Sequence, residues 1–225
     1  IILFNKDFEN CVNDTIVGLI NCFNWAIKNS CKKVIYPSSG SIFSNTNKPC
    51  NEDTTPNPIN TYGKTKLACE EISNIYSGLI KSVGLRIFAG YGPQEDHKGE
   101  IGSVISLFIN SAIKNESPII YGDGTQIRDF VYIDDITDAL IALIDNEDDI
   151  NILNIGSGSS TSFNRILEII NNLLGKKIEP TYVKKPKNYL EETSCDPSSL
   201  TKIINRQPTT IEEGIKRYIK AINEK

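Results

Sequence analysis

An α/β fold built on a parallel sheet is what this sequence predicts, and three observations carry the prediction. Stretches with apolar residues at helical spacing alternate with short, nearly continuous runs of Val, Ile, Leu and Phe, the pattern of strands buried on both faces. Glycine, proline and asparagine punctuate the chain where these runs give way to the next element. The two periods alternate rather than segregate, which selects crossover units over hairpins.

Taken in order, Ile1-Ile-Leu-Phe4 reads as a buried strand with nothing before it, and, with no methionine anywhere in the 225 residues, as the start of a fragment or processed chain. Val12, Ile16, Leu19, Ile20, Phe23 and Ala26 fall on one helical face, and Lys32-Lys-Val-Ile-Tyr-Pro37 follows as a short parallel strand. A polar loop from Ser44 to Asn60 leads into a helix running from about Tyr62 to Leu79. Val83–Phe88 is a strand, stopped by Ala-Gly-Tyr-Gly-Pro93. Then come a helix from about Ile101 to Lys114, strands Pro118–Tyr121 and Ile127–Tyr132, and a helix Asp134–Asp145 whose two aspartates read as N-cap and first-turn residues. A strand Ile152–Ile155, a turn at Gly156-Ser-Gly158 and a helix Ser162–Leu174 precede a small α/β tail. That tail has a strand near Ile178–Val183 and helices near Pro197–Ile204 and Thr210–Ile222.

Composition narrows the function classes. A net charge of −4 with scattered lysines gives no nucleic-acid footprint. No apolar run approaches the roughly 20 residues of a membrane span, and no signal peptide opens the chain. Six cysteines without a C-x-x-C pair suit reduced, buried thiols and a cytoplasmic location. The single histidine, His97, sits in a loop pattern, so no metal site is expected.

The stretch Thr61-Tyr-Gly-Lys-Thr-Lys66 stacks a phenol and an ammonium four residues apart on one helix face. A nearby positive charge favours tyrosinate and moves a phenol of ordinary pKa about 10 toward use as a base. The other reading of the pair is a half-buried aromatic beside a solvated lysine.

Several segments in order resemble the nucleotide-sugar epimerases and dehydratases of the extended short-chain dehydrogenase/reductase superfamily. Val34-Ile-Tyr-Pro-Ser-Ser-Gly-Ser-Ile-Phe43 is similar to the strand and turn presenting the family's catalytic Ser or Thr, and Tyr62-Gly-Lys-Thr-Lys66 to its Tyr-x-x-x-Lys helix. Leu85-Arg-Ile-Phe-Ala-Gly-Tyr-Gly-Pro93, Tyr121-Gly-Asp-Gly-Thr-Gln-Ile-Arg-Asp-Phe-Val-Tyr-Ile-Asp-Asp135 and Asn154-Ile-Gly-Ser-Gly158 are similar to the segments that follow. The resemblance implies an incomplete Rossmann-like parallel sheet with a small C-terminal α/β substrate domain. Residues 1–95 would form the C-terminal half of the dinucleotide-binding domain and 96–225 mainly the nucleotide-sugar domain, with 127–155 returning to the Rossmann sheet.

By the same resemblance Ser39 is the catalytic serine that bonds the reacting sugar hydroxyl, Tyr62 the base, and Lys66 the group that lowers the Tyr62 pKa and holds the ribose of NAD. Ser38 is the alternative serine and a cofactor contact. Arg128 resembles the arginine aimed at a nucleotide-sugar diphosphate, its other reading being an ion pair with Asp129; Tyr121 shapes the nucleotide pocket. Asp96-His-Lys-Gly99 is similar to a segment of ADP-heptose 6-epimerases, which makes Lys98 a candidate second acid/base against the reading of an exposed loop lysine. Gly40 and Ser41 stand where 4,6-dehydratases carry Asp-Glu, and Gly40 where the 3,5-epimerase/reductases that make GDP-fucose carry a cysteine, which leaves a UDP-glucose 4-epimerase-like reaction, as in polysaccharide biosynthesis. The resemblance also implies a homodimer built on helices 16–27 and 67–79, the other reading being burial of these helices within one chain. A same-fold reductase or decarboxylase, or a non-catalytic nucleotide-sugar- or partner-binding protein, are the alternatives. The Gly-x-x-Gly-x-x-Gly turn that meets the cofactor pyrophosphate has no counterpart in the sequence.

Overall fold

The computed structural model describes residues 2–44, 48–186 and 189–224. The alternation read from the sequence appears as β1 (Lys33–Ser39), β2 (Lys81–Ile87) and β6 (Ile152–Ile155), paired in parallel in the order β1-β2-β6. Register is set by Pro37 opposite Leu85 and Leu85 opposite Leu153. Side chains on successive strand residues point to opposite faces. Val34 and Tyr36 therefore join the cluster under α2 (Phe8–Lys28) and α3 (Thr61–Ile75), with Phe23 and Ala26. Val83, Leu85, Leu153 and Ile155 face α5 (Ile133–Asp145) and α7 (Ser198–Ile204) on the other side. Helices on both faces explain why the strands read as continuous apolar runs.

A second unit gathers around the inner faces of α4 (Val104–Lys114), α6 (Phe163–Leu174) and α8 (Ile211–Asn223). These cover β3 (Ala89–Tyr91) and β5 (Ile127–Tyr132), which pair in parallel, with β7 (Ser160–Ser162) antiparallel to β5. Thus β6 joins the first sheet, whereas β5 lies in a different one. The remaining pair is β4 (Ile119–Tyr121) with β8 (Thr181–Val183). Ile109 is fully buried in the second cluster. Ile109→Ala is expected to lower unfolding stability by about 2–5 kcal/mol, read as a lower denaturant midpoint at unchanged m-value.

Helix ends follow local chemistry. The Asn60 side chain accepts from Gly63 N at 2.8 Å, Ser103 caps α4 and Ser162 caps α6 in the same manner, and Gly175 ends α6 at φ +64°. Three expectations need correction. Residues 2–6 form a short helix, α1 (Ile2–Lys6), rather than a strand, because a four-residue apolar run carries no period and Asp7 N bonds back to Leu3 O; Ile1 itself lies outside the described residues. Helix α3 stops at Ile75, not Leu79, since Ser77 Oγ bonds to Asn74 O and Gly78 follows. The N-cap of α5 is Tyr132; Asp134 and Asp135 both lie inside the first turn, and Asp135 is buried against Thr209 and Arg206. None of the six cysteines forms a disulfide; Cys50, Cys69 and Cys195 are buried, while Cys22 is exposed. Among the described residues no helix is long and apolar enough to cross a membrane and no group of side chains could hold a metal ion.

Candidate active site

The C-terminal end of β1 and the first turns of α3 bring Ser39, Tyr62 and Lys66 together. Helical spacing puts Tyr62 and Lys66 on one face, with Lys66 Nζ 5.8 Å from the centre of the Tyr62 ring. Lys66 Nζ donates to Pro37 O at 2.9 Å, so the ammonium is tied to the strand one residue before Ser38. Ser39 is buried, accepts from Ser41 N at 3.1 Å, and lies near enough to Tyr62 for its side chain to draw the phenol pKa down. Gly63 is required beside them: a Cβ there would come within 2.3 Å of Ser41 O. Phe4 of α1 lays its ring edge against Tyr62 at 5.3 Å, a contact the strand reading of residues 1–4 did not contain.

The two neighbouring serines separate in space. Ser38, on the opposite strand face from Ser39, donates to Glu70 Oε1 at 2.5 Å inside the sheet–helix interface. Glu70 also receives Arg86 through Nε at 3.0 Å and Nη2 at 2.8 Å, a buried two-point ion pair. The sequence reading missed both residues. The signal was available, because an arginine inside the apolar strand 83–88 and a glutamate eight residues after Tyr62 each interrupt a buried pattern, and unpaired buried charges are costly.

Electrostatics here run against one expectation. Burial pushes the Tyr62 phenol above its ordinary value, opposed by the Ser39 side chain and reinforced by Cys69. Burial likewise pulls the Lys66 ammonium down, with Cys69 acting against it. Lys66 is thus not what sets the phenol in the isolated chain, since both groups are desolvated and the ammonium is committed to the Pro37 carbonyl. We expect competitive acetylation to show the Lys66 amine becoming reactive at a lower pH than ordinary lysines.

Arg128 and Tyr121 share a second neighbourhood at the ends of β4 and β5. The Arg128 guanidinium lies 5.6 Å from the Phe163 ring and 5.5 Å from Tyr189, and its Nη1 and Nη2 donate to the carbonyls of Glu191 and Leu190. Tyr121 is partly exposed and its ring is 6.1 Å from Tyr189. Arg128 makes no ion pair with Asp129, which points to the other strand face and is fully buried. There Asp129 accepts from Ser157 N and Oγ, Gly158 N and Cys195 N at 2.6–3.0 Å. Lys98 is in neither group: it is exposed and pairs with Glu95 at 3.3 Å in the same loop.

The family model of the NAD dependent epimerase/dehydratase family matches residues 4–156. A UDP-glucuronate 4-epimerase of Thermodesulfobacterium geofontis is 37% identical over 92% of this chain and 64% of its own length. The crystal structure of UDP-glucose 4-epimerase with UDP-glucose from Thermotoga maritima superposes with TM-score 0.90 at 27% identity, over 97% of this chain and 72% of that one. That of UDP-glucuronic acid 4-epimerase from Bacillus cereus, in complex with UDP-glucuronic acid and NAD, gives 0.87 at 26%, over 97% and 70%. The chain spans 62% to 70% of the length of three curated relatives it matches.

Proposed function

Because the chain belongs to the NAD dependent epimerase/dehydratase family, we propose that it serves a nucleotide-sugar epimerase of the UDP-glucose 4-epimerase type. The reaction is transient oxidation of a sugar hydroxyl to a ketone and re-reduction from the other face. The observation that carries this reading is the Ser39–Tyr62–Lys66 cluster at the C-terminal end of a parallel strand, where such sheets present ligands. Relatives solved with UDP-sugars and NAD support it.

NAD, when bound, supplies the hydride acceptor and donor. The residues present fit its nicotinamide-ribose end: Lys66 donates one hydrogen bond among the described residues, to Pro37 O, and an ammonium has three donors, which leaves two for a diol. Tyr62 takes the proton from the sugar hydroxyl and returns it to the epimeric oxygen. Ser39 holds that hydroxyl in line through the side chain that also meets Tyr62. Ser38, committed to Glu70, supports the strand rather than touching the reactants. Residues 1–95 serve the dinucleotide side, and the sugar nucleotide lies against 96–225.

Arg128 receives the diphosphate, its planar fork already lodged between the Phe163 and Tyr189 rings, and Tyr121 borders the base. Arg128→Lys is expected to weaken UDP-sugar affinity at least tenfold by calorimetry, the loss of one bidentate contact of about 1.5–3 kcal/mol. Unchanged affinity removes Arg128 from the site. The Lys98–Glu95 pair favours the loop reading for Lys98. Homodimerisation through α2 and α3 belongs to the proposal, supported by the exposed Val17, Trp25 and Ile75. Trp25→Lys with Ile75→Lys should give a monomer in sedimentation equilibrium where the parent chain is a dimer. Six cysteines in the reduced state support a cytoplasmic location.

Interconversion of UDP-glucose and UDP-galactose without net NADH absorbance tests the activity. Steady NADH production instead identifies a net oxidoreductase.

A further inference from the structure

We propose that Glu70, clamped by Arg86, is the positioning residue that fixes the register of the Tyr62–Lys66 helix on β1. The proposal rests on the catalytic reading of Tyr62 and Lys66 given above. The buried residues of α3 are Gly63, Thr65, Cys69, Glu70 and Ser73, a set with almost no large apolar side chain. Hydrophobic burial is non-directional and scales with apolar area, so such a face seats the helix loosely along the strand. What fixes it is polar. Lys66 Nζ reaches Pro37 O at 2.9 Å, Glu70 Oε1 receives Ser38 Oγ at 2.5 Å, and Ser73 Oγ meets the Tyr36 hydroxyl at 2.8 Å. Residues 66, 70 and 73 lie on one helix face, and together they hold the short strand segment 36–38.

Glu70 is the middle and strongest of these links, because its carboxylate is itself held. Arg86 of β2 spans both oxygens and donates through Nη1 to Glu52 O at 3.1 Å. The Glu52 carboxylate accepts from Asn154 N of β6 at 2.8 Å and Ser199 Oγ of α7 at 3.0 Å. The catalytic helix is thereby referenced to all three strands of the sheet and to a helix on its far side. Tolerance is small: at Gly63 the helix already approaches the Ser41 carbonyl as closely as a glycine permits. A buried ion pair of this kind adds little net stability compared with apolar residues of similar volume. Its contribution is to geometry, and a displacement of about 1 Å between reacting groups lowers rate by up to about 10²-fold.

The test uses the full chain with Glu70→Leu combined with Arg86→Met, which removes both charges together, and independently Ser38→Ala, with Ser38→Thr as the conservative rescue. Circular dichroism first establishes folding of each variant. The decisive readout is the pH at which the Lys66 amine becomes reactive in competitive acetylation, a quantity that requires no turnover. Loss of register should move it up toward the ordinary lysine value in the double variant and in Ser38→Ala, and Ser38→Thr should restore it. Turnover should fall about 10- to 100-fold with KM unchanged. A folded double variant, or a folded Ser38→Ala, with the Lys66 midpoint unmoved overturns the proposal and leaves the pair a structural element. If the wild-type chain proves not to interconvert sugars while the Lys66 midpoint still shifts, the catalytic reading fails and the positioning role stands.

Discussion

Tyr62→Phe should reduce epimerase turnover by about 10²–10⁴-fold, the range expected when a positioned general base loses its proton-accepting oxygen. The ring, its edge contact with Phe4 and the helix under it are retained, so folding and KM should change little. The phenol is held above its ordinary value by burial, and the Ser39 side chain works against that push. Ser39→Ala should therefore also slow the reaction, by removing both the proposed contact to the sugar hydroxyl and the group that draws the phenol down. Removing the Ser39 side chain from Tyr62→Phe should add less than the product of the single effects, because residues acting as one unit are not additive. Additive losses would separate Ser39 from the proton transfer.

The largest expected effect on stability lies at Asp129. Its buried carboxylate gathers Ser157 N, Ser157 Oγ, Gly158 N and Cys195 N, and so ties β5 to the turn after β6 and to the segment 189–197. Asp129→Ala leaves these donors without an acceptor, each buried one costing about 1–3 kcal/mol. A net loss of roughly 3–5 kcal/mol is expected, or a melting temperature lower by about 6–20 °C for a chain of this size. Arg128, on the opposite face of the same strand, donates to carbonyls in that segment. Binding of UDP-sugar should consequently weaken in Asp129→Ala even at temperatures where the variant is folded. A variant that melts with the wild type shows that the four hydrogen bonds contribute nothing net.

The helices and strands of the two units were legible because their periodic runs are long and their ends carry cap residues such as Asn60 and Ser162. Residues 2–6 were not, since four apolar residues fit either period; the helix is held by the Asp7 N bond to Leu3 O and packs Phe4 on Tyr62. Tyr62 and Lys66 could be found from spacing on one element. Ser38 and Ser39 could not be told apart on sequence, because their difference lies in which strand face meets α3, a tertiary property. The same holds for Arg128 and Asp129, whose adjacency suggested an ion pair that strand alternation forbids. Glu70 and Arg86 stand 16 residues apart, and only the β1-α3-β2 crossover brings them into contact. The expected downward shift of Tyr62 failed for a related reason: spacing shows that a charge is near, but desolvation depends on what else is packed there.

The most direct test of the central claim is to run the reaction in D₂O with NAD+ and UDP-glucose and read the product by proton NMR. Oxidation and re-reduction through Tyr62, Ser39 and Lys66 predict UDP-galactose with hydrogen, not deuterium, at the inverted carbon, formed about 10²–10⁴-fold more slowly by Tyr62→Phe. Deuterium at that carbon, undiminished conversion by Tyr62→Phe, or no conversion by the wild-type chain would contradict the account.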